Sequence, residues 1–160
     1  MRWSETLAQV LTGAEKIAIL GIGSVLCGDD AAGMELIAYL EEHAPASERL
    51  LLLGGSTAPE NFIGEIRHFA PDHLFVVDAA YLDTPVGTIA VVDPADIDGI
   101  GFSTHMLPFS VMLDYLHSSC PCPTTCIGIT PSNTDFGATL CREVSDAVIH
   151  LAEELLRYLV

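Results

Sequence analysis

Over residues 16–21 and 74–78 the chain is apolar at every interior position and halts at Gly21 and Asp78. A strand with one wet face alternates apolar and polar residues; a run without alternation is buried on both faces, which is the habit of parallel sheets covered by helices. Around these two runs the pattern shifts between the two periods. A first helix is expected near Ser4–Gly13, with Ser4 as its cap and Trp3, Leu7, Val10 and Leu11 on one side. Further helices are expected over 31–42, over 59–69 with proline in the first turn, and over 108–117. A long amphipathic helix capped by Thr139 should run to residue 159. Short strands are expected over 50–53, closed by Gly54-Gly55, over 87–92 and over 125–129. Short strands alternating with helices give βαβ units, hence an α/β fold of three layers: a mostly parallel, twisted, five-stranded sheet with helices on both faces.

With 160 residues, half of them hydrophobic, the chain is read as a single domain spanning 1–160, with no repeat or linker. Its 22 acidic and 6 basic side chains leave a formal charge of −16, which repels phosphate backbones and anionic lipid. A nucleic-acid or membrane partner is therefore not expected. No apolar run approaches the ~20 residues needed to cross a bilayer, and the opening residues do not form a secretory signal. The expectation is a cytoplasmic monomer. Five cysteines are an odd set for a disulfide framework.

In a sheet of this kind, functional groups gather beyond the carboxyl ends of the strands. Three stretches fall there: GIGSVLCGDDAAG after the first strand, VVDAA around Asp78, and STHMLP around His105. Gly21-x-Gly23 invites a dinucleotide reading, but the third glycine is missing at Leu26, and Asp29 and Asp30 occupy the helix start where a pyrophosphate would sit. Asp30, Asp78 and His105 on three loops would instead make an open oxygen and nitrogen site, better suited to nickel or zinc than to calcium or magnesium. By contrast Cys120-Pro-Cys122-Pro-x-x-Cys126 matches no standard zinc or cluster spacing and reads as a stiff loop with buried thiols. His43, His68, His73, His117 and His150 are read as surface groups.

Taken in order, GIGSVLCGDDAAG, STAPENF, VVDAA and STHMLP resemble the nickel-iron hydrogenase maturation endopeptidases, in particular the hydrogenase-3-type branch. The resemblance runs from about Lys16 to the end. It implies a C-terminal cut in a hydrogenase large-subunit precursor after nickel insertion, with the nickel belonging to the substrate and no cofactor permanently bound. Carried over position by position, it makes Asp30, Asp78 and His105 both the metal-contacting and the catalytic set, with Asp29 as a supporting or base residue. Metal-polarised carbonyl, metal-activated water and carboxylate base are all chemically available for the hydrolysis. One departure stands out: an ungapped match to APEN puts Gly54 where an acid is common and Ser56 where glycine is usual, with Glu60 and Asn61 as the polar groups nearby. Two rival readings are a nickel-binding maturation chaperone without protease activity, and a nucleotide-binding or structural α/β module that needs neither Asp78 nor His105.

Overall fold

The computed structural model describes residues 1–100 and 108–159. Five strands form one sheet: β1 (Ile17–Ile22), β2 (Leu50–Ser56), β3 (His73–Ala79), β4 (Ile89–Val92) and β5 (Thr124–Ile129), in the order β2-β1-β3-β5-β4. All neighbours pair in parallel except β4 with β5, so the mostly parallel sheet read from the sequence is the one observed. The helices are α1 (Trp3–Gly13), α2 (Ala32–His43), α3 (Ile63–Phe69), α4 (Phe109–His117) and α5 (Arg142–Leu159).

Every residue of β1 and β3 is buried, which accounts for their unbroken apolar pattern. Alternate side chains feed two separate cores. Ile17, Ile19, Phe75 and Val77 pack under α1, α2 and α5 with Leu7, Leu36, Leu40, Val148 and Leu151. Ala18, Leu20, Leu74 and Val76 pack under α3 and α4 with Ile66, Phe109, Met112 and Leu116. Helices therefore cover both faces, and burying each large side chain contributes about 1.5–3 kcal/mol.

Several local expectations give way to tertiary partners. Strand β2 does not stop at its glycines but continues to Ser56, with a bulge that leaves Gly55 unpaired between the Gly21–Gly54 and Ile22–Ser56 partners. The segment after Ala58 opens as a 3-10 turn, Pro59–Phe62, and only then becomes α3. Helix α1 begins one residue before Ser4, and the Arg2 N–H donates to Glu5 Oε2 at 3.0 Å, closing its first turn. Helix α5 starts at Arg142, not at a Thr139 cap. His73 is buried, its Nε2 2.8 Å from Thr125 Oγ1, and burial lowers its pKa, so it is not a surface group.

Candidate active site at the end of the sheet

Strand order fixes where a site can form. From β1 the chain crosses to β2 on one side, and from β3 it crosses to β5 and β4 on the other. The carboxyl ends of β1 and β3 are thus the switch point of the sheet, where departing loops diverge and leave a crevice. Asp29 and Asp30 follow β1 in the 3-10 turn Gly28–Ala31, and Asp78 is the next-to-last residue of β3.

Close backbone approach brings these acids together. A side chain on Gly33 would collide with the carbonyl oxygens of Val77 and Ile22, so its absence lets α2 sit directly over β1 and β3. At Gly23 the backbone has φ +129, and a Cβ there would collide with the Asp30 carbonyl and lie 3.4 Å from Asp78 Oδ1. Only glycine satisfies both demands. The first acidic turn is thereby held against the end of β3.

Three carboxylates meet here with different surroundings. Asp29 has 0 % exposure, yet every approach to it is a donor: the main-chain N–H groups of Ser132 (2.8 Å) and Asn133 (3.2 Å) reach Oδ2, and that of Cys141 (2.7 Å) reaches Oδ1. Its own N–H donates to the Asn133 carbonyl at 2.9 Å. Burial works to raise its pKa, but the Cys141, Ser132 and Asn133 hydrogen bonds prevail and hold it below 3.8. A carboxylate so occupied makes a poor base. Asp29 fastens the 132–141 segment to the turn, which is the supporting one of the two roles expected for it.

Asp30 is half-buried and accepts the Ser24 N–H at 2.8 Å on Oδ2. Asp78 is 2 % exposed, and among the described residues its one donor is the neighbouring Ala79 N–H, 2.8 Å from Oδ1. Burial, and after it the charge of Asp30, push the Asp78 pKa well above 3.8. Two acids near enough for the charge of one to act on the other make a place where an incoming cation is stabilised. His105, the third expected member, lies outside the described residues. Among the described residues, no three His, Cys, Asp or Glu side chains form a metal cluster.

A Cβ at Gly54 would stand 3.0 Å from Met34 Cε, the flexible end of that side chain, which would have to shift slightly to admit a larger residue. Ser56 has φ +52, a left-handed conformation that favours glycine, the residue the resemblance leads one to expect there. The thiols of Cys120, Cys122 and Cys126 are free and buried in the core under α3 and α4. Burial pushes Cys126 up to about 12, and burial together with Cys120 pushes Cys122 up to about 11, so they are inert packing groups. Around the crevice stand exposed apolar side chains: Val25 and Leu26 at 59 % each, Tyr81 at 57 % and Phe136 at 81 %. They form one neighbourhood, since the Gly137 N–H donates to the Leu26 carbonyl at 2.8 Å and the Tyr81 hydroxyl lies 2.8 Å from Thr134 Oγ1.

Comparison with known proteins agrees with this fold. The family model for hydrogenase maturation proteases matches residues 34–158. The hydrogenase 3 maturation protease of Escherichia coli is 34% identical over 131 residues, covering 81% of this chain and 82% of that protein. The crystal structure of a nickel-iron hydrogenase maturation protease, HycI, from Thermococcus kodakarensis KOD1 superposes with a TM-score of 0.87 at 29% identity, covering 96% of this chain and 98% of that one. The solution structure of the endopeptidase HycI from Escherichia coli gives a TM-score of 0.76 at 26% identity, covering 89% and 90%. Family match, sequence identity and fold agree, and the chain belongs to the hydrogenase maturation protease family, whose members are endopeptidases.

Proposed function

We propose that this chain removes the C-terminal extension of a nickel-iron hydrogenase large-subunit precursor once nickel has been inserted, and that Asp30, Asp78 and His105 meet the nickel the precursor carries. The observation that carries the reading is the pairing of Asp30 with Asp78 at the switch point of the sheet in a chain of this family. Burial, and after it the charge of Asp30, disfavour the ionised form of Asp78, and a divalent cation favours it, because the cation reverses the local electrostatics. The pair is therefore a receptor for positive charge that the substrate brings with it, with no resident cofactor. An apo precursor brings none, and selectivity for the loaded form follows.

Bound nickel supplies Lewis acidity next to the scissile carbonyl. Asp30 and Asp78 orient the metal, and the exposed apolar groups Val25, Leu26, Tyr81 and Phe136 offer a surface suited to a polypeptide. The reading takes residues 1–160 as one protease domain, acting as a monomer in the cytoplasm. Among the described residues no helix is long and apolar enough to cross a membrane. The test is incubation with nickel-loaded and apo precursor, with product mass as the readout. Loss of the C-terminal segment from the loaded form alone supports the endopeptidase; tight nickel binding without cleavage would favour a maturation chaperone.

A further inference from the structure

Strand β4 leaves an open edge beside the acid pair. It stands last in the sheet, and among the described residues β5 is its one strand partner. The Thr130 N–H donates to the Thr88 carbonyl at 3.0 Å, and the register carries that ladder on through Ala90 with Gly128 and Val92 with Cys126. An antiparallel ladder uses alternate residues, so the main-chain N–H and C=O groups of Ile89 and Val91 point away from β5. In agreement, the carbonyl of Ile129, the partner of Ile89, is turned to the other side and accepts the Ala80 N–H at 3.0 Å. An edge of this kind is a template for a further strand. Its place is set by register, because Asp78 is paired with Gly128 and Gly128 with Ala90. A strand added beyond β4 would lie three strand spacings, about 15 Å, from the Asp78 backbone.

The two faces of this edge differ in charge. On the face covered by α1 and α5, Ile89 and the 41 % exposed Val91 border a groove of about 720 Å³ with Arg2, Trp3, His150 and Arg157. Those two arginines are drawn from only six Lys and Arg residues in a chain with 22 acids. Glu154 is the acid of the groove, its Oε2 3.1 Å from Arg157 Nη1. On the face that carries Val92, a second groove holds the exposed Asp93 and Asp96 instead. Side chains of a strand alternate between faces, so this edge suits a segment in which acidic and basic residues alternate. A second copy of the chain is a poor match. Antiparallel pairing of β4 with itself would set one arginine face beside the other, and two chains of charge −16 repel. We propose that β4 is a second docking site for the large-subunit precursor: an extended precursor segment pairs with the main chain of Ile89 and Val91, its acidic side chains over Arg2 and Arg157 and its basic ones over Asp93 and Asp96. A substrate held at the acid pair reaches that edge with about five extended residues. The proposal rests on the endopeptidase reading and adds a contact that reads the polypeptide, while the Asp30–Asp78 pair meets the metal.

The test compares Val91→Pro, Val91→Ala and Arg157→Glu with the wild-type chain. Proline removes the outward N–H and leaves the bonds to β5 in place, alanine keeps that N–H, and glutamate reverses one exposed charge of the groove. Affinity for nickel-loaded precursor is read by biolayer interferometry at low and high salt, beside KM and kcat for processing. Expected are about tenfold weaker binding in Val91→Pro, with the loss in KM rather than kcat, and binding within about threefold of wild type in Val91→Ala. Arg157→Glu should bind about fivefold more weakly at low salt, a loss that fades as salt rises. Where Val91→Pro does not fold, Arg157→Glu decides: a salt-sensitive loss supports the site, and unchanged affinity overturns it. Unchanged affinity in a folded Val91→Pro also overturns it, as does a wild-type dimer in sedimentation that Val91→Pro dissolves, because a second copy then occupies the edge. If the wild-type chain binds the precursor without cutting it, the endopeptidase reading fails, while the affinity comparison still decides the role of β4.

Discussion

Asp29 and Asp78 are both buried aspartates at the same end of one sheet, and they are opposites. Three main-chain donors surround the Asp29 carboxylate, so its negative charge is stabilised and its pKa falls below 3.8. Asp78 has one described donor, and burial, then the charge of Asp30, raises its pKa. The contrast separates two uses of the same residue type. A satisfied buried charge ties distant segments together; an unsatisfied one keeps stored repulsion that a cation from outside relieves.

The largest effect is expected from breaking the unsatisfied side. Asp78→Asn and Asp30→Asn should each reduce processing of nickel-loaded precursor by about 100-fold or more, in keeping with several kcal/mol of lost metal-assisted stabilisation, read by product mass over time. Asp78→Asn should also melt higher than wild type at neutral pH. The sign follows from linkage: the folded chain holds the Asp78 proton more tightly than the unfolded chain, so this residue costs stability as pH rises above about 3.8, and asparagine removes that cost. Denaturant titrations from pH 4 to 8 should show the gap widening upward.

Breaking the satisfied side should do the reverse. Asp29→Ala leaves three main-chain donors without their acceptor, and about 3 kcal/mol or more of stability should be lost at pH 7, measured by urea unfolding. In the wild type the contribution of Asp29 is present above about pH 3.8 and is lost as pH falls through its depressed pKa. A smaller effect is expected at Ser56, where glycine should relieve a left-handed serine and raise stability by about 1 kcal/mol. Smallest of all, Phe136→Ala should leave the melting temperature within about 1 °C, as surface substitutions usually do, while raising KM a few-fold.

The same contrast explains what could be read in advance. Strands β1 and β3 are legible because burial on both faces imprints an unbroken apolar run, and the acids are legible because they follow those runs directly. The start of α5 is not, because the segment before it is held by a carboxylate more than one hundred residues earlier in the chain. Nothing local to residues 132–141 announces that partner. Likewise, pairing of Gly54 and Ser56 with β1 carries β2 past the glycines that would end a strand by propensity, and the buried His73 meets Thr125 on the neighbouring strand. The difference between Asp29 and Asp30, adjacent and identical in type, is set by which of them faces the 132–141 loop. Burial of Glu60 Oε2 is equally invisible in the string STAPENF.

The central claim is that the Asp30–Asp78 pair receives nickel carried by the precursor. Its most direct test is to incubate wild-type and Asp78→Asn proteins with nickel-loaded and with apo precursor, and to read the mass of the large subunit. The account predicts a shortened subunit only where wild-type protein meets loaded precursor. Equal cleavage of apo precursor by the wild-type chain, or undiminished cleavage of loaded precursor by Asp78→Asn, would contradict it.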